Sequence, residues 1–174
     1  AKVRVAVALN PACPVHVLKA LSTDKAKTVC AAAQRQLLWS ELNAPDAPTP
    51  KHTREKAAQL ETFLLRDHPW TSVPGVKEVL GRLLRDDTWI ADHKFVRMCY
   101  ETLAEMDEEL LQEVGPGRFM RALLASMPHR HDYETALEWL WEQLPTTEFL
   151  RAVRDNEDIL EAKVVREVGT RWKK

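Results

Sequence analysis

Isoleucine occurs twice and glycine five times in this 174-residue chain. Strand-type residues are therefore scarce apart from valine, and glycine falls below its usual share of about 7%. No apolar run approaches the roughly 18 residues that a membrane span needs. No basic start, apolar stretch and small-residue cleavage site marks a signal peptide, so membrane and secreted readings are disfavoured. The three cysteines, Cys13, Cys30 and Cys99, are odd in number and far apart. That pattern fits neither a disulfide framework nor a paired C-x-x-C metal site, and it predicts reduced thiols in a cytoplasmic protein. Glycine-rich phosphate loops and the G-x-S-x-G elbow are also missing. Gly115-Pro116-Gly117 lacks the lysine and hydroxyl residue of a phosphate loop and reads as a helix stop.

Leucine, by contrast, occurs 22 times and alanine 20. These strong helix formers predict an all-α fold. The formal net charge of −1 hides a split: residues 1–60 carry 9 basic and 4 acidic side chains, residues 61–174 carry 16 and 22. The acidic excess is concentrated in residues 101–113. There Glu101, Glu105, Asp107, Glu108, Glu109 and Glu113 stand with no basic residue among them.

The chain opens on valines and alanines broken by Asn10-Pro11, and the pattern restarts when Val29 and Ala32 follow Val3 and Ala6 by 26 residues. A period in the twenties is what a stacked solenoid repeat produces. Asn10-Pro11 ends one helix, because proline biases Asn10 away from the α region and cannot extend the ladder. Pro14 suits the first turn of the next. Val3, Arg4, Ala6, Ala8, Asn10, Pro11, Pro14, Val17, Leu18, Leu21 and Asp24 fall in the order of a unit that resembles the leucine-rich repeat variant family. The resemblance covers about one unit, residues 3–28. It implies a right-handed superhelix of alternating α- and short 3₁₀-helices. A lone repeat cannot bury its own faces, so the expectation is either further units ahead of Ala1 or capping by the C-terminal part.

The division expected is a helical repeat unit at residues 1–42, a stiff Pro-rich connection at 43–52 and a helical array at 53–174 packed on the repeat. Pro45, Pro48 and Pro50 rule out a helix in the connection. Apolar spacing predicts one helix over about residues 25–42, capped by Thr23 or Asp24. A series of short antiparallel helices follows, separated by Asp67-His68-Pro69, Asp86-Asp87-Thr88, Gly115-Pro116-Gly117, Pro128 and Pro145. The last expected helix covers about residues 157–168. The whole is a solenoid-like repeat continuing into an irregular array.

Candidate chemistry is thin. The His131-Asp132 pair, preceded by His129, resembles the metal-binding step of the HD phosphohydrolase family, with His93 and Asp155 as further ligands of a divalent metal that activates water. The competing reading makes Asp132 a helix cap. Asp86-Asp87 with Asp92-His93 likewise reads either as an acidic-histidine cluster or as capping of two helices. Cys30 and Cys99 lie on apolar stripes, and Cys13, between prolines, is the thiol expected to be reachable. On the helix after Asp132, Trp139 and Trp141 are about 200° apart, so both cannot face one core. That leaves Trp139 as a candidate contact residue.

With no catalytic constellation, the reading favoured is a non-enzymatic helical-repeat module that binds another protein without a cofactor or metal. Its candidate contacts are Trp139 and the acidic residues Glu101, Glu105, Glu108, Glu109 and Glu113. The alternative partner is nucleic acid, held by a stripe of Lys2, Arg4, Lys19, Lys25, Lys27 and Arg35. The nearly balanced net charge weighs against that alternative. A third reading is an HD-like metal-dependent hydrolase.

Overall fold

The computed structural model describes residues 1–68, 73–102, 108–127 and 130–160, with backbone alone for Glu108, Glu109, Arg130 and His131. Among them every regular element is a helix and there is no strand. The chain divides into two compact units, Ala1–Val79 and Leu80–Lys174. The expected Pro-rich connection runs inside the first of these, between two helices of the same unit.

In the first unit, α1 (Lys2–Ala8) and α2 (Val15–Leu21) both pack on α3 (Lys27–Leu42). Helix α1 stops at the Asn10-Pro11 break, where the Asn10 side chain accepts the Ala12 N–H at 2.9 Å. Pro14 stands immediately before α2, and its carbonyl accepts from Val17 and Leu18 at 2.9 and 3.1 Å. The second element of the repeat is therefore a seven-residue α-helix and not the 3₁₀-helix that the resemblance implies. The ladder closes in α register, since Leu18 N–H reaches the carbonyl four residues back. Helix starts recur after 25 residues, Lys2 to Lys27. Ala8, Leu18, Ala32 and Ala33 form the repeat's small core, with Leu9, Cys13, Leu21 and Leu37 packed around it.

Helix α3 buries residues on more than one side, Val29, Ala33, Gln36, Trp39 and Leu42 among them, as a helix between two layers does. It starts two residues later than expected. Asp24 accepts the N–H of Ala26 at 2.8 Å, which places the cap ahead of Lys27. Thr53 caps α4 (Arg54–Thr62) by accepting the Lys56 N–H, and a π-turn, Phe63–Asp67, continues it. The turn closes when His68 N–H reaches the Phe63 carbonyl at 3.0 Å. Within this unit Gly75 has φ +77°, and a Cβ there would run into the Asn43 side-chain oxygen. Gly75→Ala is expected to cost about 1–2 kcal/mol by strain and clash together. Urea unfolding checks this, and a loss below about 0.5 kcal/mol would show the turn to be unconstrained.

Helix α5 (Val76–Leu84) contains the unit boundary. In the second unit come α6 (Asp87–Ile90), α7 (His93–Thr102), α8 (Glu108–Val114), α9 (Pro116–Ser126), α10 (Arg130–Gln143) and α11 (Thr146–Arg154). Helix α9 packs on α7, α8, α10 and α11, and its Phe119, Met120, Leu123 and Leu124 are buried. Gly115, at φ +91°, stops α8 and Pro116 opens α9, as the breaker predicts. Buried Asn156 donates to the carbonyls of Gly117 (2.9 Å) and Ala152 (2.8 Å), which ties the end of α11 to the start of α9. The helix expected at about residues 157–168 falls largely outside the described residues.

Candidate protein-binding surfaces

The acidic stretch is less bare than its sequence implies. Glu101 pairs with Arg97 one turn back at 3.1 Å, and Glu113 pairs with Arg85 at 2.5 Å. Both pairs are exposed and hold their partners weakly. Glu105 lies outside the described residues, and of Glu108 and Glu109 only the backbone, in α8, is described. The cations that balance this face come from α7 and from the residue after α5.

Trp139 is half-buried. Its ring meets Tyr100 edge-on at 5.1 Å and Phe119 at 6.2 Å, so it forms part of the packing of α10 on α7 and α9. Trp141, about 200° round the helix, packs edge-on against Phe149 at 5.2 Å. Each tryptophan thus finds its own aromatic partner. Burial also lifts the Tyr100 hydroxyl above its ordinary pKa.

Of the basic residues, Arg35 is withdrawn into an ion pair with Asp67, both side chains being largely buried. Arg4 pairs with Asp24 at 2.7 Å. The Ala26 N–H, and after it Arg4, hold the Asp24 carboxyl below its usual pKa. Lys2, Lys19, Lys25 and Lys27 are exposed, and no ion pair holds them among the described residues. A six-residue basic stripe is therefore reduced to four lysines.

The metal-binding reading finds no support in the geometry. Among the described residues no three His, Cys, Asp or Glu side chains come together. His129 lies outside them and the His131 side chain is not described; Asp132 sits in the first turn of α10, His93 is exposed at the start of α7 and Asp155 caps α11. Asp86 and Asp92 act as caps. Asp86 accepts from Thr88 N–H (2.8 Å), the Thr88 hydroxyl and Trp89 N–H (3.3 Å), and Asp92 accepts from Lys94 and Phe95. The Thr88 hydroxyl leads the bonds that lower the Asp86 pKa. Asp87 pairs with Arg118. Cys99 is buried, and burial raises its thiol pKa well above the ordinary value. Cys13 is half-buried against the repeat core, no more open than Cys30, whose thiol donates to the Ser22 carbonyl at 2.8 Å.

A surface that the sequence reading passed over lies on the repeat itself. Val3 is 78% exposed, Val7 40% and Val15 48%. Val3 and Val7, one turn apart, share the side of α1 opposite Ala8 and Val5. The signal was present in KVRVAVA, a helix apolar on every side, which implies cover from two directions. In the second unit and in α4 no helix is long and apolar enough to cross a membrane, nor is any other among the described residues.

No curated protein and no solved structure matches the chain. The sequence model of the leucine rich repeat variant family matches residues 1–25, the segment that builds α1 and α2, so the chain carries one unit of that helical repeat.

Proposed function

We propose that this chain is a protein-interaction module and that residues 1–25 meet the partner through the exposed valine face of α1 and α2. The observation that carries the reading is the exposure of Val3, Val7 and Val15 on a repeat unit whose kind works by stacking apolar faces. Charge narrows the partner's chemistry. Asp24 is the sole acid in residues 1–25 and Arg4 neutralises it, which leaves Lys2, Lys19 and Lys25 unpaired around the valines. The partner segment is an amphipathic helix with an apolar stripe flanked by carboxylates.

A photo-crosslinker at position 7 identifies the partner, and the affinity of purified components then tests the face. Val3→Glu with Val7→Glu is expected to weaken binding by tenfold or more, because both residues would be buried at the centre of the contact. Thermal stability should change little, since both are exposed in the free chain. Rising salt should slow association. Loss of binding in Trp139→Ala, or in Glu105→Lys with Glu109→Lys, with the valine variant unaffected, would move the site to the second unit. Salt-sensitive binding of an oligonucleotide that Lys19→Glu abolishes would favour the nucleic-acid reading instead.

A further inference from the structure

The first unit contains a cavity of about 230 Å³ between the C-terminal half of α3, the π-turn and the turn at residues 73–75. Its wall is aromatic. Trp39 stacks on Phe63 at 5.2 Å with 17° between the planes, and His68 leans on the other side of Phe63 at 4.7 Å. Two polar atoms in its lining stand out. Gln36 is 4% exposed, and its Oε1 accepts no hydrogen bond from the chain; His68 Nε2 is equally enclosed and unpartnered. The nearby hydroxyl is not their partner, because Ser40 donates to the Gln36 backbone carbonyl at 2.9 Å.

A buried amide oxygen without a donor is costly, and native chains seldom keep one without a use. Leucine or methionine would fill the position of Gln36 at no such cost, since its neighbours on α3 are apolar. Burial lowers the His68 pKa, so its ring is neutral near pH 7 and offers either a donor or an acceptor at Nε2. Flat aromatic walls with two convergent polar atoms suit a flat guest. The volume suits one of one or two rings, being smaller than a drug-sized pocket of about 300 Å³ or more.

We infer that this cavity binds a neutral, planar heteroaromatic ring that packs against the Trp39–Phe63 wall and donates a ring N–H to Gln36 Oε1, with a second hydrogen bond at His68 Nε2. The inference is independent of the valine face and of any protein partner.

The test is amide NMR titration of the intact chain with three isosteric probes: indole, which has an N–H donor, benzofuran, which has none, and benzimidazole, which has a donor and a ring acceptor. Indole is expected to shift the amides of Gln36, Ser40, Phe63 and His68 and to bind tenfold or more tighter than benzofuran. In Gln36→Leu that preference should vanish while benzofuran still binds. Benzimidazole should outbind indole in the wild type, and His68→Leu should remove that second margin. Equal affinity for indole and benzofuran in the wild type would overturn the proposal. So would retention of the preference in Gln36→Leu, or no shift with any probe at millimolar concentration, which would leave the cavity to water. Should Gln36→Leu fail to fold, the wild-type ratio and His68→Leu still decide.

Discussion

Arg35→Ala should lower the unfolding free energy by about 3 kcal/mol, near the lower edge for breaking a buried ion pair. Arg35 meets Asp67 with two bonds, Nε to Oδ2 at 2.5 Å and Nη2 to Oδ1 at 3.0 Å. The side chains are only 16% and 10% exposed. Removing one partner leaves the other charge with little water to replace it, while the forked geometry that made the bond strong is lost entirely. Asp67→Leu combined with Arg35→Met should recover much of the loss, because the desolvation penalty of both ions disappears. Urea unfolding of the two single variants and the double variant closes the cycle. A single-variant loss below about 1 kcal/mol would mean that solvent reaches the pair freely.

The second large effect is expected in the other unit. Phe119→Ala removes a fully buried ring from α9, the helix on which four others pack. The cost should be about 3–5 kcal/mol, the lost burial plus the cavity left behind. Trp139 loses one of its two aromatic neighbours and keeps Tyr100, so its ring should gain mobility and its emission should shift. Phe119→Leu should cost much less, since it refills most of the space. Hydrogen exchange in α7, α9 and α11 reads the loss where it occurs, without assuming that the chain unfolds in one step. Unchanged protection in those helices would show α9 to be peripheral.

What could be read from sequence was local. Asp86 and Asp92 cap helices because the donors lie two and three residues ahead, within reach of any Asp at a helix start. Gly115-Pro116 stops one helix and opens the next for equally local reasons. The repeat was legible because its punctuation, Asn10-Pro11 and Pro14, acts on the backbone directly. Arg35 was misplaced on an outward stripe because its partner lies 32 residues away, and Glu113 looked uncompensated because Arg85 lies 28 residues before it. No spacing rule reaches that far. The two tryptophans of α10 show the intermediate case. The angle between them was readable, whereas the aromatic ring awaiting each one depended on how neighbouring helices pack. Gln36 was silent for a related reason: its amide is distinctive only by virtue of its burial and the aromatic wall near it.

The π-turn after α4 has a meaning in terms of ancestry. A single-turn π segment is what an α-helix becomes when it absorbs a one-residue insertion without unravelling. Each added residue turns everything behind it by about 100° relative to everything ahead. Leu65, exposed at the middle of the turn, occupies the place of such a newcomer. Delete it, and Ala57 and Leu60 would keep their places while Asp67 swung away from Arg35. The ion pair, the ring of His68 and the cavity that ring lines would then be younger than the helix that carries them, acquired together in one insertion event.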